Sequence, residues 1–337
     1  MTSASLPSLT FGAYALTPGP LADDGRAEEE FYAGLGDLPI ATIEFPLLGD
    51  GAPSLDPEWI ARTLRPGWDL MVTCIPRTMM RLATAPGYGL ASTDADGRRA
   101  ALADVAVVRD LARALAEAGG RPRVTAIEVQ SAPGPLLGSV EAFAESLAEL
   151  ATWDLGGAEI VVEHCDALVA GQAPVKGFLS IEDEIAAIQV VLASEPSARL
   201  GVGINWGRSA IEGRSGDTAT EHVRLAAQAG LLRSIIFSGA TDQVTAWGPA
   251  WADNHMAPRG TGPALAASSA SLLGADEVRA ALAAAGQAPI AFVGAKVTIR
   301  PDDATARERL ALARAALSLL VEAGLDVGGT DDEVWIG

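Results

Sequence analysis

The chain has 337 residues, 49% of them hydrophobic, enough for a sizeable core in one large domain or two ordinary ones. Its 24 basic and 43 acidic residues give a formal net charge of −19, which argues against nucleic acid or an anionic membrane as partner, since both need a basic surface. Two cysteines, Cys74 and Cys165, make no disulfide framework and fit a reduced, cytoplasmic setting; no basic-then-apolar leader opens the chain, and no apolar run reaches the roughly 18 residues of a membrane helix.

In chain order, eight β-rich runs alternate with stretches of helical period. The first is "TFGAYAL" (10–16), followed by the acidic "RAEEEF" (26–31), which reads as a solvated helix face. The second is "IATIEF" (40–45), and the third "DLMVTCI" (69–75) leads into a long connection, 76–97. A helix over 98–119 stops at Gly119-Gly120. The fourth run is "VTAIEVQ" (124–130), with a helix over 139–153, and the fifth is "EIVVEH" (159–164). The helix over 180–194 opens on Ser180 with Asp183 three residues on, an approximate capping box. Its "IEDE" (181–184) reads as solvated carboxylates favoured by the helix dipole. The sixth run, "LGVGIN" (200–205), continues into a Gly-rich loop, 205–217, and a helix over 217–230. The seventh, "SIIFS" (234–238), precedes a second long connection, 239–273, and a helix over 274–285. The eighth, "PIAFVGAKV" (289–297), precedes a helix over 302–323 that Pro301-Asp302 would start.

Strand and helix alternating eight times predict parallel strands joined by right-handed crossovers. The expected fold is a single (β/α)8 TIM barrel domain over 1–337, with long loops after strands three and seven. A doubly wound open sheet would carry a Gly-rich fingerprint after its first strand, and "YALTPGP" supplies none.

Side chains alternate along a strand, so residues two apart share a face. Thr42 and Glu44 share one, as do Glu128 and Gln130, and Tyr14 and Gly12. Glu163, Asn205, Ser238 and Lys296 end strands five to eight, with Gly201 and Gly203 leaving room beneath Asn205. Polar residues are ordinary where strands meet water, but charges are almost never fully buried unless paired. Three carboxylates against one ammonium are unbalanced. Either a cation joins them, one carboxyl keeps its proton, or a loop arginine neutralises them, Arg77 beyond strand three being well placed.

Arg208 and Arg214, in the loop after strand six, could grip an anionic substrate bidentately or pair with Glu212, Asp217 or Glu221. In "WADNHMAPRG" (251–260), Trp251, Asp253 and His255 crowd with Asn254, Arg259 and nearby Trp247, as a substrate loop or a self-packed lid. His222 sits on an outer helix and reads as structural. In "EHCD" (163–166) Glu163 faces the barrel interior and His164 the helices.

"ATIEFPL", "VVEHCDA" and the eight-unit layout resemble the xylose-isomerase-like TIM barrels, a group of sugar isomerases, ketose epimerases and relatives. More narrowly, "IEFPL", "GVGINWGRSAIEG", "WADNHMAP" and the "SLL" segment before the seventh helix resemble an uncharacterised bacterial family of that superfamily, a domain of unknown function. The resemblance implies a divalent ion held by Glu, Asp, His and Glu at the ends of strands five to eight. By position this sequence offers Glu163, Asn205, Ser238 and Lys296, one match in four.

The expectation is therefore an enzyme that moves a proton beside a carbonyl of a carbohydrate, anionic sugars included, by isomerisation, epimerisation or β-elimination. No cofactor is expected, with Mg2+ or Mn2+ as the alternative. Glu163 and Glu128 are the expected acid–base pair, Lys296 the charge-stabilising group and His255 a further acid–base candidate. Tyr14, Glu44, Arg77, Asn205, Arg208, Ser238, Trp251 and Asp253 are expected to bind substrate. A two-carboxylate glycoside hydrolase and a non-catalytic sugar-binding barrel are the competing readings, and a homo-oligomer is compatible with all three.

Overall fold

The computed structural model describes residues 6–18 and 25–326. The expectations for the first five residues and for the far end of the 1–337 domain lie outside them. Eight short strands, each an apolar run with buried residues on both faces, form the inner layer: β1 (Ser8–Phe11), β2 (Thr42–Pro46), β3 (Asp69–Thr73), β4 (Val124–Val129), β5 (Glu159–His164), β6 (Leu200–Asn205), β7 (Leu232–Phe237) and β8 (Phe292–Ala295). Each pairs in parallel with the next, and β8 pairs with β1, which closes the barrel. The helices around it are α1 (Arg26–Leu35), α2 (Pro57–Thr63), α3 (Ile75–Leu82), α4 (Ala95–Gly119), α5 (Val140–Ala151), α6 (Ile181–Ser194), α7 (Trp206–Gly213), α8 (Gly216–Gln228), α9 (Ala275–Ala285) and α10 (Ala306–Glu322). This is the (β/α)8 TIM barrel that the alternation predicts.

Two of the three apolar clusters among the described residues hold the barrel itself. The larger lies between strands and helices, where Val72, Ile127, Val162 and Ile204 meet helix residues such as Leu111, Leu147, Ile188 and Val223. The smaller plugs the interior with Met71, Ala126, Val161 and Phe292. One step along the same inward faces stand Thr73, Glu128 and Glu163, so the apolar plug is the floor of a polar layer. Crowding there requires glycine. A Cβ on Gly12 would meet the Lys296 side chain at 2.7 Å, and one on Gly203 would meet Ser234 Oγ at 2.3 Å.

Local chemistry moves several predicted boundaries. β1 ends at Phe11 instead of running to 16, because the chain turns at Gly12 into a 3-10 turn, Ala13–Ala15, that carries Tyr14. The last helix begins at Ala306, four residues after the predicted start. Thr305 caps it, and Glu308 completes a capping box. The connection 76–97 contains α3 and the start of α4. The Gly-rich stretch 205–217 is largely helix: the Asn205 side chain accepts from Arg208 N at 3.3 Å and starts α7 directly at the end of β6.

Candidate active site

The ends of β2, β4, β5 and β8 bring Glu44, Glu128, Glu163 and Lys296 together, all buried. Lys296, one residue past β8, donates from Nζ to Glu44 Oε1 and, at 3.3 Å, to the hydroxyl of half-buried Tyr14; the same ammonium is 3.6 Å from Glu163 Oε1. Arg208, on the first turn of α7, pairs with Glu163 Oε1 through Nη1. Its Nε donates to Asp253 Oδ2 at 3.1 Å, and its Nη1 approaches Cys165 Sγ at 3.5 Å. Three neutral donors also point at Glu163: Gln130 Nε2 at 3.0 Å, Thr73 Oγ1 at 3.4 Å and Asn205 Nδ2 at 3.4 Å.

The long connection after β7 folds back over this cluster. Lys176 Nζ donates to Asp253 Oδ2 at 2.7 Å, so Asp253 is clamped between two cations. His255 Nδ1 lies 2.8 Å from Ser238 Oγ and 3.5 Å from Asp253 Oδ1. The loop holds Trp251 and His255 at φ 63° and 49°, a left-handed backbone that costs a non-glycine residue roughly 1–2 kcal/mol. Trp251 lies under the Arg214 guanidinium, 5.2 Å from Cζ to the ring centroid.

The electrostatics separate the two barrel carboxyls that lie nearest the plug. Burial pushes Glu163 up, but Arg208 and then Lys296 outweigh it, and its pKa falls to about 2. Burial, reinforced by the charges of Glu163 and Glu44, drives Glu128 well above the ordinary carboxylate range. Neither carboxyl oxygen of Glu128 has a hydrogen-bond partner, and Glu44 Oε2 and Gln130 Oε1 are likewise orphaned. Burial also raises Glu44, against the pull of Lys296. Burial, with Lys296, Arg208 and Lys176, outweighs Asp253 and lowers His255 to about 3, so its ring is neutral near pH 7. Glu44, Glu163 and Asp253 thus stand against Lys296, Arg208 and Lys176, with Glu128 as a fourth carboxyl that no cation contacts.

The structure therefore brings Tyr14, Glu44, Glu128, Glu163, Asn205, Arg208, Ser238, Asp253, His255 and Lys296 into one cluster, while the Trp251 ring packs on Arg214 instead. Arg77 is not brought there. It is the residue that sequence position placed wrongly: its Nη1 donates to Asp104 at 3.2 Å, its Nη2 to Asp50 at 2.8 Å and its Nε to Leu48 O at 2.7 Å. Asp104 also accepts from Arg81 and from Tyr88 at 2.9 Å, so this is a structural knot between α3 and α4. Asp104→Ala is expected to cost about 3 kcal/mol of stability, because it leaves the buried Arg77 guanidinium with the exposed Asp50 as its one carboxylate partner; a urea unfolding midpoint checks it.

Arg208 pairs with none of the acidic residues that sequence proximity suggests, since α7 turns it inward. Lys176 was missed altogether; no local pattern marks it. Glu184 corrects the reading of "IEDE" as solvated: it is buried and accepts from His164 Nδ1 at 2.8 Å and Ser131 Oγ at 2.6 Å. Its spacing from Ile181, Ala187, Ile188 and Val191, the buried face of α6, was the available signal.

The divalent ion implied by the resemblance can be tested against these donors. A dication at the ends of β5 to β8 would face the Lys296 ammonium and the Arg208 guanidinium, both already on Glu163 Oε1. That donor set does not fit it. One oxygen each of Glu44, Glu128 and Glu163 also lie within 4.8 Å of one another, as do ligating atoms of His164, Glu212 and His222.

Comparison with known proteins agrees with the fold. L-ribulose 3-epimerase aligns with a TM-score of 0.56 at 16% identity, covering 94% of this chain and 96% of the other. D-psicose 3-epimerase, solved in the presence of D-fructose, aligns at 0.54 and 15% identity, covering 96% and 100%. A structure of the IOLI protein with a bound zinc atom aligns at 0.55 and 13%, covering 94% and 99%. These neighbours are xylose-isomerase-like TIM barrels, and at such identities they speak for the fold alone. In sequence, the uncharacterised protein STM3670 of Salmonella typhimurium is 38% identical over 239 residues, 68% of this chain and 72% of that protein. Residues 10–312 match a family model described as Domain of unknown function (DUF4862), and the chain belongs to that family.

Proposed function

We propose that the chain is a sugar isomerase- or epimerase-like enzyme that moves a proton at a carbon beside a carbonyl, using fixed cations where a divalent ion would otherwise stand. The observation that carries this reading is the divergence of two adjacent carboxyls, Glu163 held ionised at about 2 and Glu128 driven well up. Carboxyls whose environments push their pKa values apart mark acid–base assignments. Glu163 is saturated with donors, so the proton-moving role falls to Glu128, whose oxygens are free of partners. Glu163 then positions Arg208 and Lys296, and Lys296 with Tyr14 stabilises charge developing on the carbonyl oxygen. Orphaned oxygens on Glu44, Glu128 and Gln130 suit a ligand rich in O–H donors, as a sugar is.

One oxygen each of Glu44, Glu128 and Glu163 lie within 4.8 Å of one another, closer than the about 6.5–9.5 Å that an inverting glycosidase leaves for its water. Glu128 is 0% exposed, so the Asp253–His255 segment must swing away to admit a substrate. No helix among the described residues is long and apolar enough to cross a membrane. We read the enzyme as one barrel domain in a reduced, cytoplasmic setting, which its two free cysteines fit.

The test is solvent exchange. Incubated in deuterated water with a panel of aldoses, ketoses and sugar acids, the protein is expected to incorporate one deuterium into its substrate, read by mass spectrometry. Absence of exchange across the panel, with glycosides cleaved instead, overturns the reading.

A further inference from the structure

Behind the barrel wall, away from the proposed active site, lies a second polar cluster. His164 ends β5 and points to the helices, opposite to its neighbour Glu163. Its Nδ1 is 2.8 Å from Glu184 Oε2, and its Nε2 is 3.1 Å from Glu212 Oε2 on α7. His222, on α8, has Nδ1 3.0 Å from Ser209 Oγ and Nε2 3.5 Å from Glu212 Oε1. The two rings meet edge to face with centroids 4.7 Å apart.

From this geometry we propose a zinc site formed by His164 Nε2, His222 Nε2 and the Glu212 carboxylate, with a water completing the tetrahedron. Three observations carry it. Ligating atoms of all three residues lie within 4.8 Å of one another. His222 Nε2 lies 3.5 Å from Glu212 Oε1, within the about 3.3–3.6 Å edges of a tetrahedron whose ligands sit about 2.0–2.2 Å from a zinc ion, and His164 Nε2 lies 3.1 Å from Glu212 Oε2, a few tenths of an ångström short of that edge. Each ring is also held by its far nitrogen, His164 by a carboxylate and His222 by a hydroxyl, which leaves both Nε2 atoms facing inward. Metal-bound histidines are oriented in this way, their second nitrogen donating to an oxygen.

Without the ion, a proton on His164 Nε2 bridges the ring to Glu212, and zinc binding releases that proton to solvent. Glu212 also accepts from Ala167 N at 2.7 Å, so the loop after β5 is already tied to α7. The Glu212 side chain is 13% exposed and offers the route by which the ion enters. Bound there, zinc staples β5 to α7 and α8. It thereby fixes the helix that carries Arg208 against Glu163, although it touches neither.

The test uses the full chain, stripped with chelator, then loaded with zinc alone and dialysed. Wild type is expected to retain one equivalent, to gain thermal stability on zinc addition, and to give with cobalt the intense visible bands of a four-coordinate ion. His222→Gln and Glu212→Gln are expected to lose all three, while Glu128→Gln, at the barrel carboxylates, keeps them. Ser209→Ala, which retains every ligand but frees the His222 ring, is expected to weaken zinc binding about 10–100-fold and keeps the proposal testable if the ligand variants fail to fold. Wild type that retains no zinc overturns it, as does equal retention by the His222, Glu212 and Ser209 variants, or loss in Glu128→Gln alone. In those cases the cluster is only an imidazolium clamped between two carboxylates.

Discussion

Arg208→Met is expected to lower stability by about 3–5 kcal/mol at pH 7, the usual cost of removing one partner from a buried ion pair. Glu163 and Asp253 both lose their guanidinium and stay buried, with the Lys296 ammonium 3.6 Å from Glu163 and Lys176 on Asp253. The pH dependence follows from the sign of the Glu163 shift. Its folded pKa is depressed to about 2, against about 4.3 in an unfolded chain. The stability that this supplies, about 3 kcal/mol, is fully present above pH 4–5 and is lost as pH falls toward 2. Wild type therefore loses its advantage over Arg208→Met across that window, and the gap between the two urea midpoints narrows by about half by pH 3 and closes only toward pH 2. A gap of constant size from pH 7 to pH 3 would show that Arg208 does not hold Glu163 ionised.

Glu128→Gln is expected to do the opposite to stability while removing activity. The folded pKa of Glu128 is raised by burial and by neighbouring carboxylates. The folded state thus keeps a proton that the unfolded chain releases above about pH 4, and stability falls as pH rises. Glutamine has nearly the same shape and no such proton, so the variant should gain on wild type as pH rises above the ordinary carboxylate range, until Glu128 itself ionises in the folded state. Deuterium exchange into substrate should fall by about 100-fold or more, the contribution of a positioned acid or base. A stability difference that ignores pH counts against a protonated Glu128, and exchange within tenfold of wild type counts against its proton-moving role.

These two variants divide the cluster into parts that the sequence makes visible to different degrees. Glu44, Glu128, Glu163 and Lys296 stand out because each sits at or just past the end of an apolar strand, and period-two alternation places the three glutamates on inward faces. The demand for a neutralising group was also visible in the count of charges. Its identity was not. Arg77 follows β3 by four residues and Arg208 follows β6 by three, yet Asp104, 27 residues away, captures the first. A helix capped by Asn205 turns the second onto Glu163. The same limit hid Glu184, whose helical spacing marks it as buried but whose partner His164 lies on another element.

What the sequence determined by itself was the barrel. Eight β-rich runs separated by helical periods specify element type, order and inward face, because those depend on neighbours a few residues apart. Which charges neutralise which was decided only by the tertiary structure. Lys176 and Asp253 meet across 77 positions, and Lys296 and Glu44 across 252. Coulombic pairing depends on separation in space and on exclusion of water, and both come into being only when the barrel closes and the loop after β7 folds over its mouth.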